Sequence, residues 1–312
     1  MKATLKNELI LILVTFIWGS SIVAQKFGLQ NIGPLTFFCI RSSIGAVFLG
    51  LILLFRKKTR NLTEDKFRRK DVLKGGILCG LALFMAGSFQ QVGLTCTTVG
   101  KAGFITSLYV VIVPLLEIFT GKKLKKAMLI CIAFTVAGLY LLCVPAGEFS
   151  ISNFQIGELL VLVCAVFFAI HIIIVDRFTE KADSIEMSCI QFITVAVLAF
   201  PAMLIIDPHI PISGEDFCYS LPQLEDIWHS IVPLLYSGVL SSGVAYTLQI
   251  KAQNYINPVI ASLILCCESV FAAVCGAVML GEMMSMREIT GCIIMFISIA
   301  ATKLIQLKSP LK

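Results

Sequence analysis

The stretch Pro34–Phe55, PLTFFCIRSSIGAVFLGLILLF, is apolar except for one charge, Arg41. Of the 25 Lys and Arg in the chain, Arg41 is the one that neither a loop nor the end of a hydrophobic run can accommodate. A run of this kind matches what an α-helix needs to cross a bilayer, about 20 apolar residues at 1.5 Å each. Displaced by 150 residues, Cys39-Ile40-Arg41 becomes Cys189-Ile190-Gln191 inside a second run, Ile185–Ile206. The second copy keeps the position and exchanges the charge for an amide, so the chain reads as two halves built on one plan.

Composition says what surrounds both halves. The chain has 312 residues, 58% of them hydrophobic and 14% charged, with a mean hydropathy of +0.93. A soluble domain carries about 25% charged residues. Such a deficit, spread evenly, points to lipid as the solvent. The net charge of +6 is bunched between apolar runs, which fits membrane topology and not a nucleic-acid surface. The twelve cysteines contain no CxxC pair and fall mostly inside the runs, as small packing residues do. Cys96 and Cys218 fall in loops expected outside, where a disulfide is conceivable. Lys2 and Lys6 ahead of Leu9–Ile17 imitate a signal peptide, but no A-x-A site follows, so the run is expected to be an uncleaved first span.

Ten runs are long enough to span: Leu9–Lys26, Pro34–Phe55, Val72–Leu94, Ala102–Gly121, Ala127–Val144, Ile156–Val175, Ile185–Ile206, Ile227–Ile250, Pro258–Leu280 and Ile289–Ile305. They are continuous, without the dyad alternation of barrel strands, so the fold is expected to be all-α. If the N-terminus is cytoplasmic, 21 of the Lys and Arg fall on inner segments and three (Lys26, Lys101, Arg287) on outer ones. That asymmetry predicts ten spans with both termini in the cytoplasm, in a multi-pass protein of the cell (plasma or inner) membrane. The basic stretch Arg56–Lys70 is mostly topology signal, with anionic lipid as a further contact.

The repeat extends beyond Arg41. Glu8 answers Glu158 and Trp18 answers Phe168 at the same displacement; later, Gln91-Val92-Gly93-Leu94 answers Gln249-Ile250-Lys251-Ala252, and Gly121-Lys122 answers Gly281-Glu282. Five spans per half is an odd number, so the halves must be inverted relative to each other. This is an architecture of secondary transporters. The expected units are residues 1–145 and 155–306.

Four motifs resemble a known family: Phe16-Ile17-Trp18-Gly19-Ser20; Gly33-Pro34-Leu35-Thr36 followed by Arg41; Gly103 through Pro114 in the fourth span; and Leu280-Gly281-Glu282 closing the ninth. In order and spacing the chain resembles the drug/metabolite transporter superfamily, in its ten-helix EamA-type branch. The resemblance implies a transporter, usually an exporter, of amino acids, metabolites, drugs or other small solutes. Two positions depart from the family pattern: Ser269 stands where a proline is usual, and Gly121-Lys122 where Gly-Glu is frequent.

Candidate site residues follow from depth. Counting along the spans places Arg41 and Tyr109 roughly 10 Å from the outer side, with Glu268 near the midplane and Trp18 central. Tyr109 and Glu268 are mates in the repeat, as are Arg41 and Gln191. An ion inside the bilayer costs about 2.5–3.5 kcal/mol on insertion scales, so it reads first as functional. Burial favours the uncharged form of a carboxyl, which suits Glu268 to a coupling proton, or to a cationic group of the substrate. Arg41 suits a carboxylate through its planar fork; snorkelling to headgroups or a structural pair with Glu268 are the alternatives. Gln90, Gln91 and Gln249 offer donors and acceptors either to substrate or between helices. Trp18, Tyr109 and Tyr246 either line the path or pack the core. Glu117 and His171 read as plain interface residues, and Gly76-x-x-x-Gly80 as close helix packing.

Other chemistries find no support in the sequence. Gly100-Lys101 and Gly121-Lys122 lack the rest of a phosphate loop, and Asp and His form no metal or acid/base cluster. No cofactor is expected. Expected partners are a small-molecule substrate, the lipid bilayer and protons as coupling ion, without nucleic acid; a homodimer is left open. The competing readings are a polytopic enzyme acting on lipid, and a membrane sensor, for which no loop is long enough to form a signalling domain.

Overall fold

The computed structural model describes residues 2–59, 69–119, 121, 125–145, 156–210, 219, 222–281 and 283–308. Among these residues the chain is helical and contains no strand. The helices are α1 (Lys2–Gly28), α2 (Pro34–Thr59), α3 (Arg69–Thr95), α4 (Val99–Ser107), α5 (Tyr109–Phe119), α6 (Lys126–Cys143), α7 (Ile156–Phe178), α8 (Ser184–Ile206), α9 (Leu224–His229), α10 (Ile231–Leu235), α11 (Tyr246–Gln253), α12 (Pro258–Leu265), α13 (Cys267–Leu280) and α14 (Met286–Lys308). A π-helical segment, Tyr236–Ala245, joins α10 to α11.

Nine of the ten runs form helical stretches long and apolar enough to cross a membrane, and the tenth is the 23-residue helix α14. Large apolar side chains point outward, among them Val47, Leu54, Phe55, Val197, Phe200 and Val278. In water such a surface would aggregate; facing acyl chains it is the ordinary exterior of a spanning helix. This is a multi-pass integral membrane protein. Three runs differ from expectation in detail. The eighth begins at Ile231, because Leu224–His229 is a separate helix with its own cap from Asp226 to the Gln223 N–H at 2.9 Å. The fourth and ninth are each broken in two, α4/α5 and α12/α13.

The halves pack as an inverted pair, and the register of the repeat is visible in single contacts. Helix α2 lies along α8: the Cys39 thiol donates to the Ala196 carbonyl at 3.8 Å and the Cys189 thiol to the Ala46 carbonyl at 3.7 Å. Advancing along one helix means going back along the other, so the two run antiparallel. Close packing repeats in the same way. A Cβ on Gly80 would come within 2.8 Å of the Gln191 carbonyl, and one on Gly238 within 3.0 Å of the Arg41 carbonyl. Small residues let backbones meet where no hydrophobic effect drives helices together. Gly138 on α6 and Gly291 on α14 oppose each other likewise.

The broken spans also end alike. Among the described residues only Gly121 (φ 88°) and Gly281 (φ 68°) have positive φ. Both close a helix in the left-handed conformation that glycine adopts without a Cβ penalty. The sequence repeat had aligned these two.

At one face, Asp207 from the end of α8 caps the start of α2, accepting from Leu35 N at 3.0 Å, Thr36 N at 2.7 Å and Thr36 Oγ1 at 2.7 Å. Gly33 leaves room for that carboxylate. Nearby, Tyr219 donates to the Leu29 carbonyl at 3.1 Å, and burial together with the Asp207 charge holds its phenol above the ordinary range. At the other face, Arg56 from the end of α2 binds both oxygens of Asp183, at 2.9 and 2.8 Å, while Asp183 caps α8. Cys96 is a free thiol; Cys218 and the spelled sequon Asn61-Leu62-Thr63 lie outside the described residues.

Candidate functional site at the crossing of the broken helices

The two helix breaks touch each other. At Leu108 and Cys266 the backbone stays near helical values but tightens locally: Leu108 N–H donates to the Ile105 carbonyl and Ser269 N–H to the Cys266 carbonyl, each the third residue back. Neither position is Pro or Gly, so local propensity does not make the break. Tertiary contacts hold it: Ser107 Oγ meets Ser269 Oγ at 3.1 Å, and the Cys266 thiol donates to the Ser107 carbonyl at 3.6 Å. Ser269 is the position where the resembling family has proline, and here its hydroxyl bridges the halves.

Tyr109 and Glu268 stand immediately beside the breaks, so the repeat mates come together at the crossing. Tyr109 is buried and faces Phe168, with ring centroids 6.4 Å apart. Glu268 is half-buried and makes no hydrogen bond or ion pair among the described residues. Arg41 and Glu268 form no salt bridge among the described residues.

Arg41 itself is 8% exposed, with its guanidinium 5.0 Å over the Phe38 ring and its Nε buried without an acceptor. Its backbone is fixed from behind by Gly238 and its neighbour Phe38 by Gly87.

Trp18 and Tyr246 are adjacent, 4.6 Å between centroids. Tyr246 also meets Phe192 edge-on at 5.3 Å and His171 at 5.8 Å. What aims Trp18 is the π segment, where its indole N–H donates to the Ser241 carbonyl at 3.3 Å. Ser20 meets Tyr236 at 2.6 Å and Ser21 meets Ser237 at 3.2 Å along the same contact. π segments are rare and concentrate at functional sites.

The amides divide. Gln91 donates to Gln25 at 3.1 Å, Gln249 donates to Gln253 at 2.9 Å, and Gln90 reaches Thr106 at 3.4 Å. The first links α3 to α1, and Gln253 in turn donates to the Ile172 carbonyl at 3.2 Å. These three therefore make helix contacts, although Gln91 Oε1 and Gln249 Oε1 each stay buried without a donor. Gln191 bonds to His171 at 2.9 Å. His171 is thus no plain interface residue: it is 1% exposed and joins the aromatic cluster to the amide. Phe192 and His171 escaped the reading by depth. The available signal was that His171 follows Phe168, the mate of Trp18, by one helical turn.

A cavity of about 230 Å³ lies elsewhere, an apolar groove between α1, α12 and α14 that includes Glu8 and Thr302. It is open toward the lipid-facing flank and separate from the crossing.

Comparison with known proteins gives the geometry a context. A family model described as the EamA-like transporter family matches residues 5–144 and again 155–303. The chain belongs to the EamA-like transporter family. This EamA-like protein is 27% identical over 303 residues to an uncharacterized transporter of Archaeoglobus fulgidus, covering 95% of this chain and 85% of the relative. It is 26% identical over 291 residues to the uncharacterized transporter YoaV of Bacillus subtilis, covering 91% and 92%. A solved crystal structure shares its fold with a TM-score of 0.74 at 18% identity, over 99% of both chains. The EamA-like protein is therefore a membrane transporter by family.

Proposed function

We propose that this membrane transporter moves small solutes (amino acids, metabolites or drugs) by secondary transport, outward from the cytoplasm. The two inverted halves alternate access to a site at the crossing of the broken helices. One observation carries the reading: an unpaired carboxylate, Glu268, stands at contacting helix breaks near an enclosed guanidinium, Arg41, with aromatic walls from Trp18 and Tyr246. Structural ions in lipid pair with each other; here both are left for a third party. Discontinuous helices at the midplane are where inverted-repeat transporters hold substrate. Glu268 is the group for a coupling proton or a substrate cation, and Arg41 the group for a carboxylate or other anionic oxygen. The units 1–145 and 155–306 are the moving bodies, and both termini face the cytoplasm.

The test is a metabolite survey of medium from cells overproducing the protein, against the Arg41→Ala, Glu268→Gln double variant. Solutes enriched by the wild type and not by the variant support the reading. Identical media, with both proteins present in the membrane, would sink it. Modification of a lipid, with no solute moved, would favour an enzyme instead.

A further inference from the structure

Gln191 occupies in α8 the position that Arg41 occupies in α2. The two helices are antiparallel, so Arg41, seven residues past Pro34, and Gln191, seven past Ser184, lie at matching depths from opposite faces. Both leave one buried nitrogen without an acceptor, Arg41 Nε and Gln191 Nε2, and Gln191 is 0% exposed. A buried N–H left unmade is costly, so a pair of them at equivalent positions in inverted halves calls for an acceptor that the protein does not supply.

The orientation of Gln191 has a cause. Its Oε1 lies 2.9 Å from His171 Nε2. With the amide oxygen facing the ring, the contact is a hydrogen bond when His171 Nε2 carries the proton, because an amide oxygen only accepts. That bond turns the amide so that its NH2 is the free end. His171 is in turn wedged edge-on against Tyr246, 5.8 Å between centroids.

We propose that His171 is a positioning residue that holds the Gln191 amide with its NH2 free, making Gln191 a second station for the acceptor group that Arg41 binds on the other side of the seam. The group is a carboxylate or a like anionic oxygen. This rests on the transport reading above and deepens it. The Arg41 guanidinium brings a full opposite charge and a planar fork that fits a carboxylate, which the neutral Gln191 amide lacks, so the Arg41 station holds the group more tightly and the Gln191 station lets it go more easily.

The test needs no known substrate. Only three histidines occur in the chain, His171, His209 and His229. Full-length protein with 15N-labelled His and Gln side chains is placed in nanodiscs, and His171 and Gln191 are assigned by the His171→Asn and Gln191→Leu variants. The probe is millimolar sodium acetate. The expected result is a His171 ring protonated at Nε2 and a Gln191 NH2 signal that shifts with acetate. His171→Leu should remove at least half of that shift; His171→Asn, whose amide can still donate to Oε1, should restore it. His229→Asn, at an exposed histidine away from the seam, should leave it in place. A ring protonated at Nδ1 alone, a Gln191 signal indifferent to acetate, or a response unchanged in both His171 variants would overturn the proposal. Should His171→Leu fail to fold, the tautomer and the acetate response of the wild type still decide. An acetate response at Gln191, with the metabolite survey negative, would cost the transport reading and leave the anion station standing.

Discussion

The two halves share a backbone plan and differ in what they hang on it. Around α2 the crossing position is a guanidinium over a phenylalanine, Arg41 over Phe38. Around α8 it is an amide tied to a histidine, Gln191 to His171. At the breaks the first half offers Tyr109 and the second Glu268. Duplication alone would give a symmetric pore with equal affinity from either side. The substitutions place the fixed positive charge in one half and the carboxylate in the other. The shared scaffold is the fold; the differences are the candidate chemistry.

Removing the carboxylate should break this contrast most severely. A charge-assisted contact is worth about 1.5–3 kcal/mol, so Glu268→Gln should lower export of the surveyed solute about ten- to a hundredfold. If Glu268 carries the coupling proton, the residual export of the variant should no longer vary with pH, while the wild type varies. Vesicle transport at a series of pH values reads both; unchanged transport at every pH would remove Glu268 from the mechanism.

Exchanging the differences is the sharper test. Arg41→Gln makes the two crossing positions alike and should lower apparent affinity from the Arg41 side about tenfold, with a smaller loss for Arg41→Lys, which keeps charge without the fork. The Arg41→Gln, Gln191→Arg double exchange should move the tighter side to the opposite face. Measuring half-saturation from each face of sealed vesicles checks this, and equal values before and after the exchange would show that neither residue sets sidedness.

Much of the shared scaffold was legible beforehand because it follows from composition and spacing. Apolar runs of spanning length need no tertiary information, and the Gly121/Gly281 match marks a backbone conformation that other residues rarely take. The displacement that aligned Cys39 with Cys189 reappears as reciprocal thiol bonds. The chemistry was less legible. The breaks at Leu108 and Cys266 carry no Pro or Gly signal; the proline nearby, Pro114, sits inside α5. Ser107 and Ser269, 162 residues apart in the chain, meet there in space. His171 read as an interface residue because nothing along α7 says that Gln191 lies opposite. The π segment escaped because its Ser and Gly residues fit an ordinary apolar helix equally well. The reading named Arg41, Glu268, Trp18 and Tyr246 as candidates, but not the contacts that orient them.

The close-packed glycines probe the scaffold and not the differences, so their effects should match. Gly80→Ala and Gly238→Ala each force a Cβ against a facing carbonyl, at 2.8 and 3.0 Å, and each should cost about 1–3 kcal/mol of stability. Gly50→Ala is the control, because nothing lies within 4 Å of its Cβ, and in a helix interior it should be neutral or stabilising by up to about 1 kcal/mol. Thermal unfolding in detergent reads all three. A large loss for only one of Gly80 and Gly238 would mean that the halves are not packed equivalently.

The smallest effects should come from the two ends of the α2–α8 pair, and they should still rank. Asp207 is buried and accepts three hydrogen bonds at the start of α2. Asp207→Asn turns a donor toward one of those donors and should cost about 1–2 kcal/mol, the scale of a lost helix cap. Arg56 is 35% exposed in its pair with Asp183, and a pair open to solvent contributes about 0–1 kcal/mol. Asp183 keeps its bonds to Ile185 N and Glu186 N when Arg56 is replaced, so Arg56→Gln removes the pair without uncapping α8. The same unfolding experiment should therefore find Arg56→Gln close to wild type and Asp207→Asn clearly below it. The reverse order would mean that the Arg56–Asp183 face, and not the Asp207 face, clamps the two helices.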